Sequence, residues 1–204
     1  MRNDVQKHQM TSNQLVILVL KVCQWWNAVF IQADRFFNVL YAPHGGTPWD
    51  KDENYSLFGA DRMFLIVAIH HAIEDLQKLN IELQRDNDTS LQFVLDNIEK
   101  VAPWEDVKNL RDMNIHDLDY LVEKGQKQDK FCSKVKIGDG ETLITAVWTH
   151  INHDVNVVLV GKIKIKELLS VMETHLPFIR QKTKQIYDES LFGNLEVKNK
   201  TVFY

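Results

Sequence analysis

Apolar residues recur at helical spacing over residues 12–40, where Leu15, Leu18, Val22, Trp25, Val29, Phe36 and Leu40 define one side. Thr11, Ser12 or Asn13 is available to cap the start. A second helix is predicted over residues 61–83. Here Leu65, Ile69, Ala72, Leu76, Leu79 and Leu83 form one narrow stripe, and the polar segment RDNDTS closes it. Between the two, APHGGTPWDKDENYSLFG reads as a loop, long enough to be functional or a simple crossover. A shorter helix over residues 90–101 uses Leu91, Val94, Leu95 and Ile98, and Pro103 separates it from another over 104–124 that Gly125 ends.

Beyond Gly125 the period changes from 3.6 to two. KVKI, the tight GDG turn, ETLITAVWTHI and VNVVLVGKIKI predict two or three short strands. Residues 166–187 return to helix, with Leu168, Val171, Met172 and His175 on one side and Pro177 expected to kink or break it. The fold class that follows is mainly α: a helical bundle of four or more helices with a small antiparallel β-hairpin inserted before a C-terminal helix. Residues 1–125 would form the bundle, and residues 126–204 the hairpin and last helix packed on it as one compact unit.

Composition narrows the classes further. With 204 residues, 45% hydrophobic and 25% charged, the chain can bury a core without staples, and its two cysteines, Cys23 and Cys132, form no framework. That usage points to a reducing cytoplasm. The apolar run 15–20 stops at Lys21 and the run 63–69 at His70 and His71, far short of the ~20 residues a spanning helix needs, so no membrane association is expected. MRNDVQKHQ has no signal-peptide core. Net charge is asymmetric: residues 1–120 carry 11 basic against 18 acidic side chains and residues 121–204 carry 13 against 10. A broad polyanion binder is thereby disfavoured, although Lys124, Lys127, Lys130, Lys134 and Lys136 cluster and Lys162, Lys164 and Lys166 alternate. Solvated lysines explain the same pattern.

Among the histidines, His70 and Glu74 are four apart on the second predicted helix and would share one side of it, away from the leucine stripe. They could supply half of a metal site, but no second helix offers a matching Glu-x-x-His, so a hydrogen-bonded pair at the surface or between helices is the simpler reading. His150 and His153 fall at a strand end with no further metal ligands to name, where a turn is the simpler reading, and His44 beside Gly45 and Gly46 could sit in an anion-binding backbone nest, although plain loop is the simpler reading. No metal or cofactor is expected. Phosphate-loop, dinucleotide, nucleophile-elbow and zinc-protease signatures are all missing from the sequence.

What remains is Leu110-Arg111-Asp112-Met113-Asn114-Ile115-His116. A permanently charged guanidinium and a titratable imidazole are the two groups that metal-free RNA cleavage needs, one for the phosphate and its developing charge, the other for proton transfer. An arginine, a polar residue after it and a histidine five positions on, within a helical region, resemble the motif of the HEPN superfamily. The resemblance covers residues 12–125 and implies a metal-independent endoribonuclease of toxin-antitoxin or phage-defence type. Arg111 and His116 would be catalytic, Asp112 and Asn114 supporting. The resemblance also implies a homodimer, RNA as substrate, and an antitoxin or nucleotidyltransferase as partner. A non-catalytic HEPN-like binding or regulatory module is the alternative.

Geometry complicates this motif. A spacing of five on an unbroken helix separates two side chains by about 140°. Three arrangements would reconcile them: Asn114 caps a new helix and bends the axis, an internal carboxylate holds Arg111, or two subunits build one cleft. The competing structural reading is an Arg111 salt bridge to a neighbouring acid beside a surface His116.

Overall fold

The computed structural model describes residues 10–41, 53–115, 132–137, 140–145, 149–152 and 157–199. Thr11 starts α1 (Ser12–Leu40) with a capping box: its side chain accepts from the Gln14 backbone N–H, and the Gln14 side chain accepts in turn from the Thr11 N–H. Leu18, Val22, Trp26, Val29, Ala33, Phe36 and Leu40 are buried at spacings of three or four. Leu15 and Trp25, expected on that stripe, are only half-buried at its margin.

Helix α2 (Glu53–Arg85) carries the six-residue stripe predicted for it, from Leu65 to Leu83, all buried. It starts earlier than expected, because the last seven residues of the predicted loop, from Glu53 on, are already helical. Residues 53–60 contain one glycine and no proline, so nothing in them stops the helix from propagating backwards once the core anchors it. Its C-terminus is a Schellman motif: Asn87 adopts a left-handed φ of 62°, and the Asp88 and Asn87 N–H groups donate to the Leu83 and Gln84 carbonyls. Asn tolerates that conformation better than most residues.

α3 (Gln92–Val101) and α4 (Trp104–Ile115) follow, separated by Ala102 and Pro103. Glu99 accepts from the Trp104 backbone N–H at 2.8 Å, satisfying one open donor of the new helix. The predicted continuation of α4 to residue 124 lies outside the described residues.

Two antiparallel sheets come next. β1 (Cys132–Ile137) pairs with β2 (Gly140–Thr145) from Cys132↔Thr145 to Ile137↔Gly140, which is the expected hairpin. The remaining strand-like sequence does not extend that hairpin. It forms a separate sheet in the order β3-β4-β5, from β3 (Thr149–Asn152), β4 (Val157–Val160) and β5 (Ile163–Lys164). Consecutive burial of Val158, Leu159 and Val160 means that both faces of β4 are covered, and the sheet packs on the last helix. Gly161, at φ 54°, makes the two-residue turn between β4 and β5 that a side chain would strain.

The last helix, α5 (Ile165–Asn199), runs through Pro177 without a break. Leu168, Met172, Ile179, Thr183 and Ile186 keep one buried stripe on both sides of the proline. Pro177 itself is exposed, as is Glu173, whose carbonyl loses its helical donor. Water can serve that carbonyl, so the proline costs less than it would on the buried side. α5 packs against α1 and α3, and α1 against α2, which makes the molecule a mainly helical bundle of five helices among the described residues. By length and composition alone α1 could cross a membrane, contrary to the expectation from uninterrupted apolar runs. In the fold it contributes eight buried residues to the core.

Charge fastens the helix ends. Asp88, just past α2, accepts from the Ser90 backbone N–H at 2.9 Å and pairs with Lys182 of α5, and these contacts hold its carboxyl at about 2. A depressed carboxyl pKa contributes stability that is complete above the unfolded-state value near 4 and is lost as pH falls toward 2. Asp88→Asn should therefore lower unfolding free energy by about 1 kcal/mol at pH 7. Denaturant curves of the variant and parent should converge as pH is lowered through that window; curves that stay parallel down to pH 2 would remove the clasp.

Candidate functional site

Trp104 and Arg111 are seven residues apart on α4 and so lie on one face, which packs on α2. The residue they meet there is His70. Its ring lies 4.9 Å from that of Trp104, it is only 5% exposed, and the Arg111 guanidinium is close enough to act on it electrostatically. His71 projects about a quarter-turn around α2, toward α1, where its ring stacks on Trp25 at 4.6 Å and 26°. The two imidazoles stand edge to face, 5.2 Å apart. Three helices thus converge, with a tryptophan against each histidine.

Glu74 completes the α2 side. Its carboxylate lies 3.4 Å from His71 Nδ1 and 3.2 Å from Lys78 Nζ. Of the hydrogen-bonded pair expected here, at the surface or between helices, His70 is buried by α4, between helices, while the Glu74 carboxylate is in contact with His71 and Lys78. On the α4 side, Arg111 Nη1 donates to Asp112 Oδ1 at 2.8 Å, with the two side chains 35% and 31% exposed. Asn114 is buried and donates to the Leu110 carbonyl at 2.8 Å. It lies within α4, so no new helix begins there. His116, His44 and His153 lie outside the described residues, and His150 sits in β3 opposite Leu159.

The electrostatics follow from this packing. Burial lowers the His70 pKa from its ordinary value, and the Arg111 guanidinium lowers it further against the opposing carboxylates of Glu74 and Asp112. Its imidazole is neutral at pH 7. Burial alone would raise the Glu74 carboxyl, but the hydrogen bond and charge of Lys78, with the neighbouring histidines, outweigh that and keep it below its usual value. The cluster therefore places a partly exposed guanidinium and an ionised Glu74 carboxylate around a buried, neutral imidazole. Such a set can bind an anion at Arg111 and exchange protons at a histidine.

The cationic face considered from the sequence is partly consumed by local pairing. Lys162 faces Asp106 at 3.9 Å, Lys164 pairs with Glu167 at 3.0 Å, and Lys166 lies over the rings of Phe37 and Tyr41. His71, Trp25 and Trp104 were not singled out by sequence reasoning. The seven-residue spacing of Trp104 and Arg111 was the one available signal, since it places both on one face whatever that face meets.

No protein-family model, curated protein or solved structure matches the chain. If the guanidinium holds the His70 pKa down, Arg111→Gln should raise it and Asp112→Asn should lower it further, both readable by NMR titration of the imidazole. A His70 resonance that titrates identically in the two variants would place Arg111 out of its reach. Because the Arg111–Asp112 pair is about one-third exposed, Arg111→Gln should cost about 1 kcal/mol or less in stability.

Proposed function

We propose that the chain is a HEPN-like, metal-independent endoribonuclease of the toxin or phage-defence type, working as a cytoplasmic homodimer. The observation that carries this reading is the position of Arg111: half-exposed, held at one nitrogen by Asp112, and beside a neutral imidazole where α4 packs on α2. A guanidinium fixed in this way keeps further donors for a phosphate, and its planar fork matches two phosphate oxygens.

In this reading Arg111 binds the scissile phosphate and stabilises the charge that grows on its oxygens. The RNA 2'-hydroxyl attacks phosphorus, the bond to the 5'-oxygen breaks, and a 2',3'-cyclic phosphate and a 5'-hydroxyl result. One proton leaves the attacking hydroxyl and one arrives at the departing oxygen. His116 makes one of these transfers. Asp112 orients the guanidinium, and Asn114 fixes the end of the helix that bears it. With a spacing of five between Arg111 and His116, the second motif of a dimer completes the cleft.

A second reading is favoured by charge. A pI of 6.1, with the acidic excess in residues 1–120, suits a non-catalytic HEPN-like module that binds an antitoxin or nucleotidyltransferase partner rather than RNA. Cleavage of mixed RNA by purified protein, with and without chelator, separates the two. His116→Ala should fold normally and lose ~10²-fold or more in rate, the scale of a lost general acid or base. Arg111→Lys should also be impaired, because an ammonium cannot reproduce the fork. Full activity in His116→Ala, beside an unfolded Arg111→Ala, would sink the nuclease.

A further inference from the structure

We propose that His70, His71 and Glu74 form a binding site on α2 for one late first-row divalent metal ion of the zinc class. The site goes beyond RNA cleavage and does not depend on it. One ligand atom from each of the three side chains lies within 4.8 Å of the other two. Zinc bonds of about 2.0–2.1 Å at tetrahedral angles require ligand atoms roughly 3.3 Å apart. His71 Nδ1 and Glu74 Oε2, at 3.4 Å, already span one such edge, and small side-chain rotations bring in the third ligand.

An independent observation comes from His70. Its Nδ1 is buried and has no hydrogen-bond partner among the described residues, in a side chain only 5% exposed. A buried polar nitrogen left unpaired is costly, and coordination of a cation at that nitrogen would remove the cost. Helix geometry supports the convergence: residues 70 and 74 are one turn apart, and residues 71 and 74 are neighbours at a spacing of three. Trp104 and Trp25, packed on the two rings, limit their rotation and so lower the entropy lost on binding.

The donor set selects the ion. Two nitrogens and one carboxylate suit zinc, copper or nickel, whereas calcium and magnesium take oxygen ligands. His71 and Glu74 are 32% and 33% exposed, so the remaining coordination positions open to solvent. Two cations oppose the ion, and both have somewhere to go. Lys78 retains Asp75 at 3.3 Å when Glu74 turns to the metal, and Arg111 retains Asp112. The pair His70 and Glu74 therefore gains its third ligand not from another helix but from the adjacent histidine.

The test uses the full, tag-free chain stripped of metal by chelator and then titrated with cobalt(II). One equivalent should bind with visible ligand-field bands, zinc should displace it, and zinc should raise the melting temperature. His71→Ala and Glu74→Gln alter half-exposed side chains, so the fold should survive. Each should weaken binding at least ~10-fold, since even a lost second-shell partner costs 10- to 100-fold. These two variants decide the matter even if the buried variant His70→Gln fails to fold. Absence of stoichiometric cobalt binding, or equal binding by parent and both variants, would overturn the site. Cleavage of RNA by the stripped protein reads out the nuclease separately: a protein that binds cobalt and never cleaves keeps the metal site and loses the nuclease, and the reverse result does the opposite.

Discussion

The site depends on α2 being buried on more than one side. Its stripe from Leu65 to Leu83 belongs to the core, while Ile66, Ala68 and Ile73, lying off that line, are buried as well. Large side chains at such positions gain roughly 1.5–3 kcal/mol each when removed from water, which favours recruiting further helices to cover them. α1, α3 and α4 all pack on α2. His70 lies on the flank that α4 covers, and its burial is a by-product of that apolar packing. The lowered pKa, the unpaired nitrogen and the nearness of Arg111 all follow from this one placement.

Ionic groups in the molecule sort by how much desolvation their partner must offset. Asp61, almost wholly buried, meets Arg35 of α1 at 2.9 Å, and the arginine keeps half its surface in water. That arrangement lets the more flexible partner stay hydrated while the buried carboxylate is neutralised. At the far end of α2 the order is reversed: Lys182 is the more buried partner, at 14% exposed, and Asp88 keeps 29% of its side chain in water. Arg111 and Asp112 differ: both are about equally half-exposed and adjacent in sequence, so their pairing adds little to the cohesion of the helices. A guanidinium not needed to hold helices together is available for a ligand.

Helices were legible because burial repeats along one element at 3.6 residues, and that signal is local. The α1 cap, the α2 stripe and the division at Pro103 could all be read from it. Two misreadings have the same cause. Pro177 marks a break only if its side of the helix must satisfy its own carbonyl, and Glu53 begins a helix only because the core further along anchors it. Strand partners could be read only for the β1–β2 hairpin: the alternation in ETLITAVWTHI does not say that β2 and β3 belong to different sheets. The same limit governs the cleft. Spacing relates His70 to Glu74, but only the lateral packing of helices brings Arg111 and Trp104 to His70 and Trp25 to His71.

The charge around the cleft also constrains what kind of RNA contact the nuclease reading allows. Counterion release scales with the number of phosphates neutralised, at about 0.7 logarithmic units per contact for single strands. Lys162 and Lys164 already face carboxylates, Lys78 faces Glu74 and Asp75, and Lys166 lies on aromatic rings, so the cation this reading relies on is Arg111, itself paired with Asp112. A substrate held chiefly there gains little from long-range attraction, because the surrounding half of the chain is acidic. Affinity would then come from shape and from hydrogen bonds at one or two nucleotides, as in recognition of unpaired bases in loops and bulges, rather than from tracking along a backbone. Weak salt dependence is the physical signature of that mode, and it separates this cleft from a cationic groove built to hold an extended strand.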